Sequence, residues 1–237
     1  MNPIRFTLNA LTTRPGAPWL LDLYCRAGGA AMGYWLAGFN VLGVDILPQK
    51  NYPFWFVQSD ALVFVKEYGY LFDVIHASPT CKSYSEMQKI ANTRDNHPRQ
   101  IPDTRAALLA TGKPYVIENV EGARQHLLNP IELCGATFGL KVYRHRLFES
   151  SVYLFQPPHQ KHGEPVPPAG RGKSADGFFS LTSGGITGVT QEERWQAMYI
   201  NWMTNAELND SISPMMTKYI GEQLMRHVLN SRRIMVA

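Results

Sequence analysis

Across the first half of the chain, short apolar runs alternate with helical stretches, and the runs stop at glycines or at polar residues able to do chemistry. The runs at residues 19–25, 39–46, 54–58, 72–77 and 114–120 are short and mostly apolar, which predicts strands buried on both faces. Helices are expected at 30–38, at 61–68 with Ser59 as the cap, and around 104–111. Such alternation folds as an α/β, doubly wound, mostly parallel sheet with helices on both faces. Ligands bind such sheets at the carboxyl ends of the strands.

With 237 residues, 45% of them hydrophobic, the chain has enough material for one core-bearing domain and a small appendage. The expected organisation is a lead at 1–18, a main unit at 19–149, a reduced irregular segment at 150–197, and a helical segment at 198–237 that completes the main unit. Between 156 and 188 the sequence is rich in Pro, Gly, Ser and His and has no periodicity. Helices return at 191–202 and 214–233, the second with Ile220, Leu224 and Val228 on one face. Cys25, Cys81 and Cys134 are far apart and lack CxxC spacing, which argues against a disulfide framework or a structural zinc site. His159 and His162 have no cysteine or carboxylate partner in view, so no metal is expected. No run reaches ~18 apolar residues and no leader pattern opens the chain, so a soluble, cytoplasmic protein without membrane contact is expected. The net charge of +4 is compatible with a polyanionic partner without requiring one.

The chemistry collects at the strand ends. The first strand runs through Asp22 and Tyr24 into a turn containing Ala27, Gly28 and Gly29, where the backbone can approach a nucleotide-type ligand closely. The spacing is not GxGxxG, which weakens a dinucleotide reading and places a nicotinamide dehydrogenase last among the alternatives. Asp45, followed by Ile46, ends the second strand where a carboxylate can hold ribose hydroxyls. Asp60, before Ala61, ends the third and can accept from an adenine amino group. The fourth strand leads into His76-Ala77-Ser78-Pro79-Thr80-Cys81-Lys82, placing a thiol beside a lysine at the same edge. An ordinary thiol is only slightly ionised at neutral pH, so its use as a nucleophile needs electropositive surroundings, which Lys82 can supply. The fifth strand ends in Glu118-Asn119-Val120, and Val142 to Glu149 carries Arg144 and Arg146 at alternating positions, expected on one face of an extended segment.

In this order the motifs resemble those of the DNA cytosine-5 methyltransferases, in particular compact, phage-type members without a large target-recognition domain. The stretch Ser78-Pro79-Thr80-Cys81 resembles the family's nucleophile loop, Glu118-Asn119-Val120 its Glu-Asn-Val motif, and Arg144-His145-Arg146 its paired-arginine element. The stretch from Ile212 to Leu224 resembles the helix that folds back on the cofactor site. The resemblance implies a Rossmann-like sheet of seven strands with an antiparallel one near the edge. It also implies S-adenosyl-L-methionine as cofactor, duplex DNA as partner with no obligatory protein partner, and attack by Cys81 on C6 of a flipped cytosine. Glu118 and Arg146 would hold the base, Arg144 would lie beside them, and Asn119 would hold the loop. Asp22, Tyr24, Ala27, Gly28 and Gly29 would bind the cofactor together with Asp45, Ile46, Asp60, Ala61 and Pro79.

The sequence departs from the family pattern at Arg26, Thr80, Lys82 and Val142, where glycine, proline, glutamine and glutamine are usual. These departures, with the small 150–197 segment, leave cytosine-5 methylation of RNA or a free nucleotide, or a turnover-deficient DNA- or cofactor-binding protein, as alternatives. In that segment Trp195, Phe178 and Phe179 are candidates for stacking on bases, and Arg171, Lys173, Lys161, His159 and His162 for phosphates, against local packing and solvated charge.

Overall fold

The computed structural model describes residues 13–80, 100–159, 161–163, 171–181 and 186–236. Cys81 and Lys82 lie outside the described residues, as does most of the lead.

The apolar runs form β1 (Trp19–Leu23), β2 (Asn40–Asp45), β3 (Trp55–Gln58), β4 (Val74–Ala77) and β5 (Tyr115–Asn119), all parallel to one another. Two further strands, β6 (Ile131–Leu133) and β7 (Arg146–Ser150), complete a seven-stranded sheet of order β3-β2-β1-β4-β5-β7-β6. β7 runs antiparallel to both β5 and β6, so the antiparallel strand sits one place in from the edge. The doubly wound, mostly parallel sheet is the architecture expected from the sequence.

Helices cover both faces. The core on one face includes residues of α1 (Gly29–Leu36) and α6 (Pro214–Val236); the other includes residues of α2 (Ala61–Tyr68) and α3 (Ile101–Ala110). Alternation along the strands sorts side chains between these cores, sending Leu20 and Val74 to the first and Leu21 and Ile75 to the second. α3 is tied to β7 by a bidentate pair, Arg105 to the buried Glu149, at 2.6 Å on each oxygen.

Several local expectations differ from what forms. Asp60, not Ser59, caps α2, its Oδ1 accepting from the Leu62 and Val63 amides at 2.9 Å. The helix expected at 191–202 ends early, as α4 (Gln191–Met198), because Tyr199 turns left-handed at φ 55°, and a second Thr-x-x-Glu capping box, Thr204 with Glu207, starts a separate α5 (Asn205–Asp210) beyond the expected range. The extended segment expected from Val142 begins only at Arg146, since Arg144 has a φ of 38°. Among the described residues, no helix is long and apolar enough to cross a membrane.

α1 and α6 pack closely because Gly33 has no side chain: a Cβ there would overlap Thr217 Oγ1 and the Pro214 carbonyl. Thr217 also donates to the Ala30 carbonyl at 3.0 Å. Gly33→Ala is therefore expected to destabilise the fold by about 1–3 kcal/mol, the usual cost of overpacking, readable as a lower denaturant midpoint with an unchanged m-value.

Candidate active site

Strand alternation aligns three ionisable side chains on the α1/α6 face. Asp22 of β1 is in register with His76 of β4, and Glu118 follows Val116, the partner of His76, by two residues on β5. All three are buried: Asp22 1%, His76 0% and Glu118 6% exposed. Above them opens a cavity of about 110 Å³ whose lining includes Asp22, Tyr24, Gly29, Pro79, Glu118 and Arg146. One space thus joins the glycine turn to the Glu118 end.

Glu118 is held from two sides. Arg146, the first residue of the antiparallel β7, places Nε 3.0 Å from Glu118 Oε1, and the Ser78 hydroxyl donates to the same carboxylate. Burial raises the Glu118 pKa above the usual carboxylate range, and the charges of Arg146 and Arg144 with the Ser78 bond offset only part of that. Behind Ser78, His76 Nε2 lies 2.8 Å from Ser78 Oγ and His76 Nδ1 lies 2.9 Å from Tyr34 Oη. With Ser78 donating forward, its oxygen accepts from His76 Nε2–H, and Nδ1 accepts from Tyr34. Burial depresses the His76 pKa to about 3, so the ring is neutral, as this relay requires. His76 and Ser78 were given no role from sequence; the available signal was a histidine inside an apolar strand, which must find partners when buried.

Asn119 faces the opposite side and its Nδ2 donates to the Pro79 carbonyl at 2.9 Å, fixing the chain just before Cys81. The Thr80 amide lies 3.4 Å from Gln100 Oε1. Arg144 does not share a strand face with Arg146. Its left-handed backbone sends the guanidinium to the carbonyls of Ser211, at 2.9 Å from Nε, and Asn209.

At the other end of the cavity, the turn after β1 is held in an unusual conformation, with Tyr24, Arg26 and Gly28 at φ of 58°, 47° and 82°. Arginine thus occupies a left-handed position that suits glycine, at a local cost of order 1–3 kcal/mol. The Arg26 amide donates to Asp45 Oδ2 at 3.1 Å, while Asp45 Oδ1 accepts from Leu47 N at 3.0 Å. The Arg26 guanidinium reaches Asp210 at 3.5 Å, near the cavity mouth. The Ala27 carbonyl takes the Trp202 indole N–H at 2.8 Å, and a side chain at Gly29 would overlap the Ile212 carbonyl, so the α5–α6 junction sits directly on the turn. Tyr24 Oη is 3.0 Å from Thr104 Oγ1. Asp45, Ile46, Asp60 and Ala61 lie at neighbouring strand ends outside the cavity lining, with Ile46 63% exposed.

Asp22 is the least satisfied group. Gly43, its register partner on β2, leaves room for the Tyr52 ring, whose hydroxyl donates weakly to Asp22 Oδ2 at 3.5 Å. Asp22 Oδ1 is buried without a hydrogen-bond partner. Burial, then the charge of Asp45, raises the Asp22 pKa well above the ordinary carboxylate range, against smaller opposing contributions from Tyr52 and the Ala31 amide. Cys25 also lines the cavity, but burial, then the charges of Asp22 and Asp45, push its thiol pKa up, so it is no nucleophile. The aromatic candidates pack within the protein: Phe179 is buried, Phe178 stacks on Tyr143 at 4.5 Å, and the Trp195 indole donates to the Met203 carbonyl at 3.0 Å.

A carboxylate whose folded pKa is raised favours folding below its unfolded value and opposes it as the pH rises through the folded value. Asp22→Asn is accordingly expected to stabilise the ligand-free protein at neutral pH by about 1–3 kcal/mol, because the variant carries no desolvated charge there. The advantage should shrink as the pH is lowered through the raised pKa, which unfolding of both forms across a pH series would reveal.

No protein-family model matches the sequence, and no curated protein does. Solved structures do match. A protein described as a DNA modification methyltransferase encoded within an Escherichia coli prophage aligns over 90% of this chain and 100% of its own, with a TM-score of 0.57 at 13% identity. The Entamoeba histolytica methyltransferase EhMeth aligns over 90% and 99%, at 0.56 and 14%, and the S. pombe Dnmt2 methyltransferase over 90% and 99%, at 0.57 and 14%. The chain therefore has the methyltransferase fold.

Proposed function

We propose that this chain, built on the methyltransferase fold, methylates C5 of cytosine in duplex DNA with S-adenosyl-L-methionine, using Cys81 as nucleophile. The observation that carries the reading is the single cavity with an unpartnered buried carboxylate oxygen, that of Asp22, at one end and the Glu118–Arg146 pair at the other. The residues present fit the cofactor: Asp22 Oδ1 lacks the donor that a cationic amino group would provide. When bound, S-adenosylmethionine supplies a methyl group made electrophilic by its sulfonium. Asp45 would hold the ribose hydroxyls, with Ile46 beside it, and Asp60 and Ala61 would meet the adenine.

At the other end, a cytosine leaving the DNA stack costs a few kcal/mol, repaid by contacts in the pocket and to phosphates. Arg146 would hold the ring carbonyl while keeping Glu118 oriented, and Glu118, its pKa raised by burial, would share a proton with N3. The Cys81 thiolate bonds to C6 and the ring's electron pair shifts toward C5 and N3. C5 then takes the methyl group, the donor departing as a neutral thioether; water takes the C5 proton, and the electrons of that C–H bond restore the C5–C6 double bond as the thiolate leaves C6. Asn119, through the Pro79 carbonyl, sets where the nucleophile loop begins. Arg144 acts at a distance, tying β7's start to the α5–α6 junction over the turn.

The test is incorporation of labelled methyl groups from the cofactor by the full chain into duplex DNA, RNA and deoxycytidine monophosphate, followed by base analysis. Label on cytosine C5 of DNA is expected, and label confined to RNA or to the nucleotide would replace the DNA assignment. On DNA carrying 5-fluorocytosine, the parent protein should form a denaturation-resistant adduct that Cys81→Ser abolishes; an adduct retained by that variant would sink the mechanism. Glu118→Gln should lower kcat by about 10²–10⁴-fold, with cofactor affinity nearly unchanged.

A further inference from the structure

Cys134, His145, His159 and His162 converge at the far end of the sheet from the cofactor turn, their ligand-type atoms all within 4.8 Å of one another. Cys134 follows β6 and His145 precedes β7, so the β6–β7 pairing sets them side by side, with Leu133 in register with Arg146. His159 and His162 come from the stretch after β7, where the described residues 151–163 form no helix or strand. The absence of a metal site was expected because this pair lacks partners in its own segment; the fold brings a thiol and a third imidazole to it from elsewhere.

We infer that these four residues bind one zinc-class divalent ion that clips the irregular segment to the sheet beside Arg146. Ligand atoms around a tetrahedral ion at ~2.0–2.3 Å stand roughly 3.3–3.6 Å apart. Here Cys134 Sγ is 3.4 Å from His162 Nε2, and His145 Nε2 is 3.0 Å from His159 Nε2. Both distances are close to those a bound ion imposes.

The surroundings fix the rings in ligating orientations. His145 Nδ1 faces the Glu121 carboxylate at 3.5 Å, the carboxylate–histidine arrangement that leaves Nε2 for a metal. His162 stacks flat on Tyr143 at 3.7 Å and 2°, and Phe178 stacks on the same tyrosine. One thiolate with three imidazoles selects zinc or a similar borderline ion over calcium or magnesium. Four protein ligands fill a tetrahedral shell, so the ion is structural and has no position left for substrate. The described part of this stretch is otherwise held near its start, where the Phe155 amide donates to Gln223, the Phe155 carbonyl accepts from Tyr219 and the Gln156 side chain accepts from the Glu132 amide, so the clip would fix its later end. The inference is independent of the methylation reading, since it uses none of the cavity residues.

The full chain, expressed with zinc and dialysed exhaustively, should retain about one zinc per chain by elemental analysis. Replacement by cobalt should give the intense visible bands of a tetrahedral site and a thiolate charge-transfer band in the near ultraviolet. Cys134→Ser should remove the charge-transfer band. Because Cys134 is buried and that variant can misfold, His159→Ala, at an exposed position, provides the second arm and should weaken zinc retention by at least ~10-fold while the circular dichroism of the sheet and helices is unchanged. A folded protein that takes up neither ion, or one whose His159→Ala form holds zinc as tightly as the parent, overturns the inference.

Discussion

A carboxylate buried at the rim of a parallel sheet needs a cation close by, and the rest of this molecule is arranged around how Glu118 obtains one. The parallel strands present their carboxyl ends at one rim, so another strand of the same direction would deliver its first residue to the wrong edge. β7 runs the other way, with Leu147 in register with Asn119, and its opening residue Arg146 therefore arrives beside Glu118. Reversal of one strand is what makes the pair possible. The same reversal carries His145 to the rim, and β6, antiparallel to β7, delivers Cys134 there as well. The base-holding arginine of the proposed reaction and two ligands of the inferred metal site are thus consequences of one topological feature.

The opposite end of the cavity depends on long-range closure. The turn at Tyr24, Arg26 and Gly28 stores left-handed backbone at consecutive alternate positions, which must be over-determined by its surroundings to persist. Much of that support comes from late in the chain: Trp202 on the Ala27 carbonyl, Ile212 against Gly29, Thr217 on the Ala30 carbonyl. Arg144 joins this group by donating to Ser211 and Asn209. The last quarter of the sequence therefore shapes a site whose candidate side chains all lie in the first two thirds.

That division explains what could be read from the sequence. β1 to β5 and the helices between them announce themselves by mostly apolar runs and glycine or polar stops, with Asp22 inside the first such run and Glu118 and Asn119 at the end of the fifth. β6 did not, because three residues are too few for any period to register. Arg144 was expected beside Arg146 from alternation alone, and no feature of an arginine side chain forecasts a φ of 38°. The Asp60 cap was missed because Ser59 and Asp60 are both good caps and only the exact start of the helix chooses between them. The Cys-His cluster depends on the β6–β7 pairing and on a return of the chain that brings His162 to Cys134 across 28 residues, which local pattern cannot carry. Ser78 and His76 were visible as residues but not as a relay, since their partners Tyr34 and Glu118 come from α1 and β5.

The two buried carboxylates of the cavity have raised pKa values for the same reason, desolvation, yet they are not equivalent. Glu118 has an arginine at 3.0 Å and a hydroxyl held by a neutral histidine, so it is already oriented and needs only a partner with which to share a proton. Asp22 has a long bond from Tyr52, a small contribution from the Ala31 amide and one oxygen without a hydrogen-bond partner, so it still lacks a strong donor or a positive charge. A ligand that satisfied both would be cationic toward β1 and would carry a protonatable ring nitrogen toward β5. A cationic cofactor at one end and a pyrimidine at the other, as proposed above, would meet the two demands separately, and the difference in hydrogen bonding between the two carboxylates is what gives each end its own requirement.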